Sequence, residues 1–293
     1  MANDHASLPI AWRLYLPREW VDDPVRRTEA GVPDEVVFQT KTQIALAQPR
    51  AARAAGVKAE VALLDAGYGN DTDLRDGITE IGLPYVVGIQ SSTSLWPPGV
   101  QPLPPKSWSG RGRPPSAIRR VAEHQPVSAK QLALTLPKKA WRRVTWREGT
   151  NTRLASRFAA VRVRPAHRDY ERAAPRPEEW CLMEWPADEA EPTKYWLSTL
   201  PATIGHRALV NIAKLRWRIE RDYQELKQEL GLGHYEGRGW RGFHHHATLC
   251  IAAYGFLVSE RDALPPSGQC QTILSEEAPI PDGYRPRGSP DPA

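Results

Sequence analysis

Two short apolar runs constrain this chain more than any other feature. Val61-Ala62-Leu63-Leu64 ends at Asp65 and meets the tight-turn sequence Ala66-Gly67-Tyr68-Gly69, and a second run extends from Tyr85 to Ile89. Apolar runs of this length bounded by turn residues predict strands buried on both faces. Between them Asp71 is suited to cap a helix reaching about Ile81, and Gly82 to close it. Strand, helix, strand in that order is a parallel α/β unit. Upstream, Ile10, Trp12, Leu14 and Leu16 alternate with Ala11, Arg13 and Tyr15, which predicts a half-buried strand over Pro9 to Leu16, ended by Pro17. The alanine-rich run from Thr42 to Ala55 predicts a helix, broken or kinked at Pro49 and terminated by Gly56.

The middle of the chain differs in kind. Pro, Gly and Ser dominate from Ser91 to Pro115, and seven of the eleven tryptophans fall between Trp96 and Trp196. Strands are predicted at Arg157 to Arg164, Trp180 to Trp185 and Lys194 to Leu200, making a β-rich insertion. Its tryptophans suit either a core or a stacking surface for an unpaired base, and the core reading is favoured. From Ile204 the period changes to helical, with Ala208, Ile212, Leu215, Ile219, Tyr223, Leu226 and Leu230 on one stripe and Gly231 and Gly233 beyond it. A last helix is predicted from about His245 to Arg261, and a polar, Pro-rich tail after Leu264 is expected to be disordered.

Composition enters where it excludes. No run approaches the roughly 18 apolar residues of a membrane-spanning helix, and Met1-Ala2-Asn3-Asp4-His5 does not open a secretory signal, so the cytoplasm is the default compartment. Cys181, Cys250 and Cys270 support neither a disulfide framework nor a cysteine-only zinc site. Net charge is +5, but residues 101 to 170 hold 16 Lys or Arg against Glu123, Glu148 and Asp169. Such a block suits a polyanion partner, although a solvated basic face or loop would have the same composition.

Asp65 stands at the carboxyl end of a buried strand, where open α/β sheets place ligand and catalytic groups; capping of the following turn explains it equally well. On the helix that follows Ile204, Arg216, Glu220 and Lys227 are spaced to project in one row, at the margin between the apolar stripe and solvent. A carboxylate between basic residues there suits phosphate chemistry, while ordinary surface charges with an i, i+4 pair are the commoner explanation. Two magnesium ions held by Asp and Glu would activate a nucleophile and stabilise a leaving oxygen, provided the fold brings Asp65 and Glu220 together. His244, His245 and His246 point about 100° apart in a helix, so they cannot face one ion. His206 and His234 are isolated. No Walker-type phosphate loop and no Gly-x-Ser-x-Gly elbow is present.

Taken together, Leu64-Asp65-Ala66-Gly67-Tyr68-Gly69, Gly82-Leu83-Pro84-Tyr85-Val86-Val87-Gly88-Ile89, Arg216-x3-Glu220-x6-Lys227 and Trp240-Arg241-Gly242-Phe243-His244-His245-His246 resemble the DDE transposases of bacterial insertion sequences. The resemblance covers about Ala2 to Arg261, including Ala11 to Pro17 and Ser156 to Val161. It implies an RNase H-like α/β core interrupted by a β-rich insertion: residues 1–90 and 202–262 as the core, 91–201 as the basic, Trp-rich insertion and 263–293 as the tail. It also implies Asp65 and Glu220 as the second and third metal-binding catalytic acids, Mg2+ or Mn2+ as cofactor, and Arg216 and Lys227 as contacts to DNA phosphates. The reaction would be DNA strand cleavage and transfer, generally by a homodimer on paired element ends.

Two positions depart from the pattern. Ala213 stands where the family's signature opens with tyrosine. The strand bearing the first acid has no counterpart, and Asp4 is wrongly placed to substitute, so the resemblance implies an N-terminally truncated chain that folds poorly alone and does not cut DNA. The alternatives are a non-catalytic DNA-binding regulator derived from a transposase, and a nuclease of the same core with no joining step.

Overall fold

The computed structural model describes residues 1–3, 6–148 and 153–263. In chain order it has α1 (Arg18–Val21), α2 (Pro24–Ala30), α3 (Lys41–Ala54), β1 (Ala62–Leu64), α4 (Ala66–Gly69), α5 (Thr72–Glu80), β2 (Tyr85–Ile89), β3 (Ser94–Trp96), β4 (Val127–Ser128), α6 (Ala129–Thr135), β5 (Arg142–Glu148), β6 (Arg153–Pro165), β7 (Glu179–Trp185), β8 (Lys194–Ser198), α7 (His206–Lys214), α8 (Trp217–Gln228) and α9 (Trp240–Ala263). Asp4 and the segment after Leu264 lie outside the described residues. Among those residues no helix is long and apolar enough to cross a membrane.

The strands join one mixed sheet in the order β1-β2-β8-β7-β6-β3-β4, with β5 also on β6. The pair β1–β2 is parallel, with Leu64 opposite Val87, and the remaining pairs are antiparallel. The α/β unit read from the sequence is therefore present, and strands from 91–201 extend the same sheet through β8. On one face, Leu74 and Ile78 of α5 and Leu132 of α6 pack over Val87, Cys181, Met183 and Leu197, with Leu46 of α3 against them. On the other, Leu209, Val210 and Ala213 of α7 cover Val86, Phe158, Leu182 and Trp196. With helices on both faces, every residue of β2 is buried, which is why that strand reads as an unbroken apolar run.

Local chemistry accounts for most ends. Thr40 and Gln43 form a capping box at the start of α3, and the Asp71 carboxylate accepts the Leu74 N–H at the start of α5. The helix α3 continues through Pro49, contrary to the expected break. Packing outweighs the lost hydrogen bond: a Cβ on Gly77 of α5 would come within 2.5 Å of the Leu46 side chain, so the two helices are closely apposed. Trp96 and Trp196 are buried, as the core reading of the insertion requires, whereas Trp108 is exposed.

The expected strand at Pro9 to Leu16 does not form. Alternation makes a strand only where another backbone lies alongside, and β1 pairs with β2 alone among the described residues. Leu8 instead joins the small cluster between α8 and α9, and Trp12 lies 4.9 Å from the His244 ring. The single helix expected from Ile204 to Leu230 is divided in two at Leu215–Arg216. Ile219 and Tyr223, expected on its apolar stripe, are exposed because α8 packs against α9 rather than against the sheet.

Candidate active site

Asp65 follows the last residue of β1 and caps α4, its Oδ1 accepting the Gly67 N–H at 2.8 Å. The turn it caps sits directly on the backbone of β2. A Cβ on Gly69 would lie 1.9 Å from the Gly88 carbonyl oxygen, and one on Gly88 would lie 2.8 Å from the Ala66 nitrogen. Asn70 ties down the far side, its Oδ1 accepting from Thr93 Oγ1 at 2.7 Å and from the Gln90 N–H at 3.3 Å. The glycines of both motifs thus serve close backbone approach, and they hold Asp65 on a rigid turn. One carboxylate oxygen caps the turn; the other faces the junction of α7 and α8.

That junction is held from the opposite side. Lys214, at the end of α7, is buried, with Nζ 2.5 Å from Glu184 Oε2 and 4.3 Å from the centre of the Trp146 ring. Burial lowers the proton affinity of this ammonium, and the Glu184 carboxylate opposes the effect. The next two residues form a tight turn in which the Arg218 and Ile219 N–H groups donate three residues back, to Leu215 and Arg216. Arg216 is thereby aimed at both acids: Nη1 is 3.9 Å from Asp65 Oδ2, and Nη2 is 2.5 Å from Glu220 Oε1.

The fold thus brings Asp65, Arg216 and Glu220 together. Lys227 lies on an exposed part of α8, 5.8 Å from the Tyr223 ring, and does not join them. Ala213, on α7, is buried in the cluster where that helix covers the sheet. The three consecutive histidines diverge as their helical spacing requires: His244 Nδ1 lies 2.8 Å from the Trp240 carbonyl, His246 Nε2 lies 3.0 Å from the Gly231 carbonyl, and His245 is exposed. Sequence reasoning missed the contact between Arg216 and Asp65, because no local pattern pairs a strand end with a helix junction so distant in the chain.

The side chains of Asp65, Glu220 and Arg216 are 43%, 65% and 32% exposed. Ion pairs this wet are worth about 0–1 kcal/mol, so the guanidinium is a counter-ion that a stronger ligand can replace. Two carboxylates converging on one positive charge supply hard oxygen donors, and magnesium is held by one or two such groups while keeping its waters. The donor set therefore fits a small divalent cation, although among the described residues no group of three or more His, Cys, Asp or Glu is placed to hold a metal ion.

The other acids of α8 are committed elsewhere. They line a cavity of about 280 Å³ between α8, α9 and the start of the chain. Asp222 accepts from Ser7 Oγ and, at 2.9 Å, from Tyr254 OH. Burial would raise the Glu225 carboxyl, but hydrogen bonds from Arg221 and Arg261 outweigh it and hold the group below its ordinary range. Residues 1–153, just over half of the chain, match the family described as DDE superfamily endonuclease. Asp65 lies inside that match and Glu220 beyond it. No curated protein matches the chain.

Proposed function

Because the chain belongs to the DDE superfamily endonucleases, whose substrate is DNA and which generally use divalent metal ions, we propose that Asp65 and Glu220 are metal-binding carboxylates of a transposase-type site for DNA strand cleavage and transfer. The core is RNase H-like, and the ion is Mg2+ or Mn2+. What supports the assignment is the shared contact of Arg216 with Asp65 and Glu220, at 3.9 and 2.5 Å. Without the fold these acids have no relation to each other.

Each residue has a separate task. Asp65, fixed by its own turn, presents Oδ2 in one orientation; Glu220, exposed on α8, adjusts to what arrives. A bound divalent cation would activate the attacking oxygen and stabilise the leaving one. Arg216 neutralises the acids in the free protein and turns to a DNA phosphate when the cation replaces it, and Lys227 contacts the backbone two turns further along α8. Among the described residues two carboxylates converge on Arg216, and the purified protein is expected to bind duplex DNA without nicking it. A non-catalytic binder is the second reading, favoured by a guanidinium that already closes on both acids.

Manganese binding followed by electron paramagnetic resonance tests the assignment. Asp65→Ala and Glu220→Gln are each expected to weaken Mn2+ binding at least tenfold, with DNA binding largely kept. Arg216→Ala is expected to strengthen Mn2+ binding and weaken DNA binding. Unchanged Mn2+ affinity in Glu220→Gln would remove that residue from the site, and magnesium-dependent nicking by the purified chain, lost in Asp65→Ala, would overturn the non-cutting expectation.

A further inference from the structure

A second feature lies at the other end of α7. A cavity of about 260 Å³ opens beside the first turn of that helix, walled by Lys139, Arg142 of β5, Trp180 of β7 and His206 of α7, over Ala160 and Leu209. Among the described residues no carboxylate lines it. Lys139 and Arg142 are exposed, and neither is in an ion pair among the described residues. Trp180 is a fixed wall, its indole N–H donating to the Pro201 carbonyl at 3.1 Å.

His206 completes the cavity. The Phe158 backbone favours the charged form of its ring, and its Nε2 is buried with no hydrogen-bond partner among the described residues. Burial, then the positive charge of Arg142, lowers its proton affinity. Two cations without a counter-ion around an orphaned ring nitrogen form an arrangement that an entering anion stabilises on every side. The nine residues of α7, His206–Lys214, which lie between this cavity and the turn bearing Arg216, rise about 13 Å at 1.5 Å per residue. At 3.4 Å of duplex axis per phosphate of one strand, that length matches about four base-pair steps.

We propose that this cavity binds a phosphodiester of the DNA backbone, with Lys139 and Arg142 supplying charge and His206 donating from Nε2, at a distance from the cleavage site that α7 sets. The proposal rests on DNA being the substrate and goes beyond the Asp65–Glu220 site. The bound phosphate offsets both effects that keep His206 neutral, so the ring takes up a proton as DNA binds. The charged groups facing it are Arg142 from β5 and Lys139 from the turn before that strand; β6 and β7 contribute none to the cavity. Affinity is therefore highest at low pH and falls as pH rises through the bound-state pKa of His206.

Fluorescence anisotropy with a labelled duplex tests this on the full chain. Lys139→Ala with Arg142→Ala is expected to weaken binding at least tenfold and to reduce the slope of log K against log salt by about 2. His206→Gln is expected to flatten the part of the pH dependence that this residue carries. Unaltered thermal unfolding and Mn2+ binding in these variants separate a local loss from misfolding. A double variant with wild-type affinity and slope, or a His206→Gln protein with the wild-type pH profile, overturns the cavity proposal alone. A wild-type chain that does not bind duplex DNA overturns the functional reading beneath it as well. Inorganic phosphate is expected to bind only weakly by calorimetry; tight phosphate binding lost in the double variant, with duplex binding intact, would make this a free-phosphate site instead.

Discussion

Replacing Glu184 by alanine is expected to destabilise the protein by about 3–5 kcal/mol, because it leaves a buried ammonium without its counter-charge. Lys214 Nζ is 2.5 Å from the Glu184 carboxylate and lies among the rings of Trp146, Phe158 and Trp196, at 4.3, 5.4 and 5.3 Å. The rings contribute cation–π attraction, but they cannot replace a carboxylate in a site this dry. For a chain of this size the loss corresponds to a fall in melting temperature on the order of 10 °C.

The pH dependence identifies the cause. In Glu184→Gln the folded-state pKa of Lys214 drops further below its unfolded value, so above that pKa the unfolded chain binds more protons than the folded one. Stability must then rise with pH, and the deficit of Glu184→Gln is expected to shrink as pH rises from the lowered folded-state pKa towards the unfolded value of about 10.4. Converting both partners, as Glu184→Leu with Lys214→Met, is expected to be near neutral or stabilising. Urea denaturation of the three variants checks the set. A Glu184→Ala protein as stable as wild type would show that the pair is not buried in solution. The effect reaches the site, because Lys214 anchors the end of α7 one residue before the turn that aims Arg216.

Gly69→Ala is the second large effect expected. Its Cβ would fall 1.9 Å from the Gly88 carbonyl oxygen and 3.0 Å from the Gly88 carbonyl carbon and Val87 Cβ. No flexible side chain is available to yield, so the turn that carries Asp65 must lift off β2. Overpacking in cores costs about 1–3 kcal/mol, and a clash with backbone belongs at or above the top of that range. Gly88→Ala, which would meet the Ala66 nitrogen at 2.8 Å, is expected to behave alike. Gly239→Ala has open space and is expected to change little. The measurement is the urea midpoint with its slope, and Gly69→Ala with the wild-type midpoint would mean that the turn and strand are not in contact. A displaced turn also moves Asp65, so Mn2+ binding should weaken even where the variant remains folded.

Much of the architecture was legible because it depends on short-range chemistry. The run ending at Leu64, the Asp71 cap and the Tyr85–Ile89 strand are each encoded within a few residues and each is present, although Ala62–Leu64 is half-buried rather than buried on both faces. The strands of the insertion were found at Arg153–Pro165, Glu179–Trp185 and Lys194–Ser198, and missed at the brief Ser94–Trp96 and Val127–Ser128 and also at the seven-residue Arg142–Glu148. Pro9 to Leu16 has the pattern of a strand and lacks a partner. At Pro49 a local penalty lost to the packing of Leu46 against α5. The division of the helix at Arg216 left no periodic trace either, since the turn there departs little from helical geometry.

What the sequence determined by itself is the pair of carboxylates in their local settings: Asp65 ending an apolar strand, Glu220 four residues after an arginine. Dihedral preference, hydrophobic period and capping act over a few residues, and all of them can be read along the chain. Tertiary structure alone decided that Arg216 reaches both acids, that Lys227 does not join them, and that Lys139, Arg142 and His206 share one cavity. Those relations depend on which faces of the sheet the helices cover. That choice is a long-range competition among buried surfaces, with no signature in any one segment.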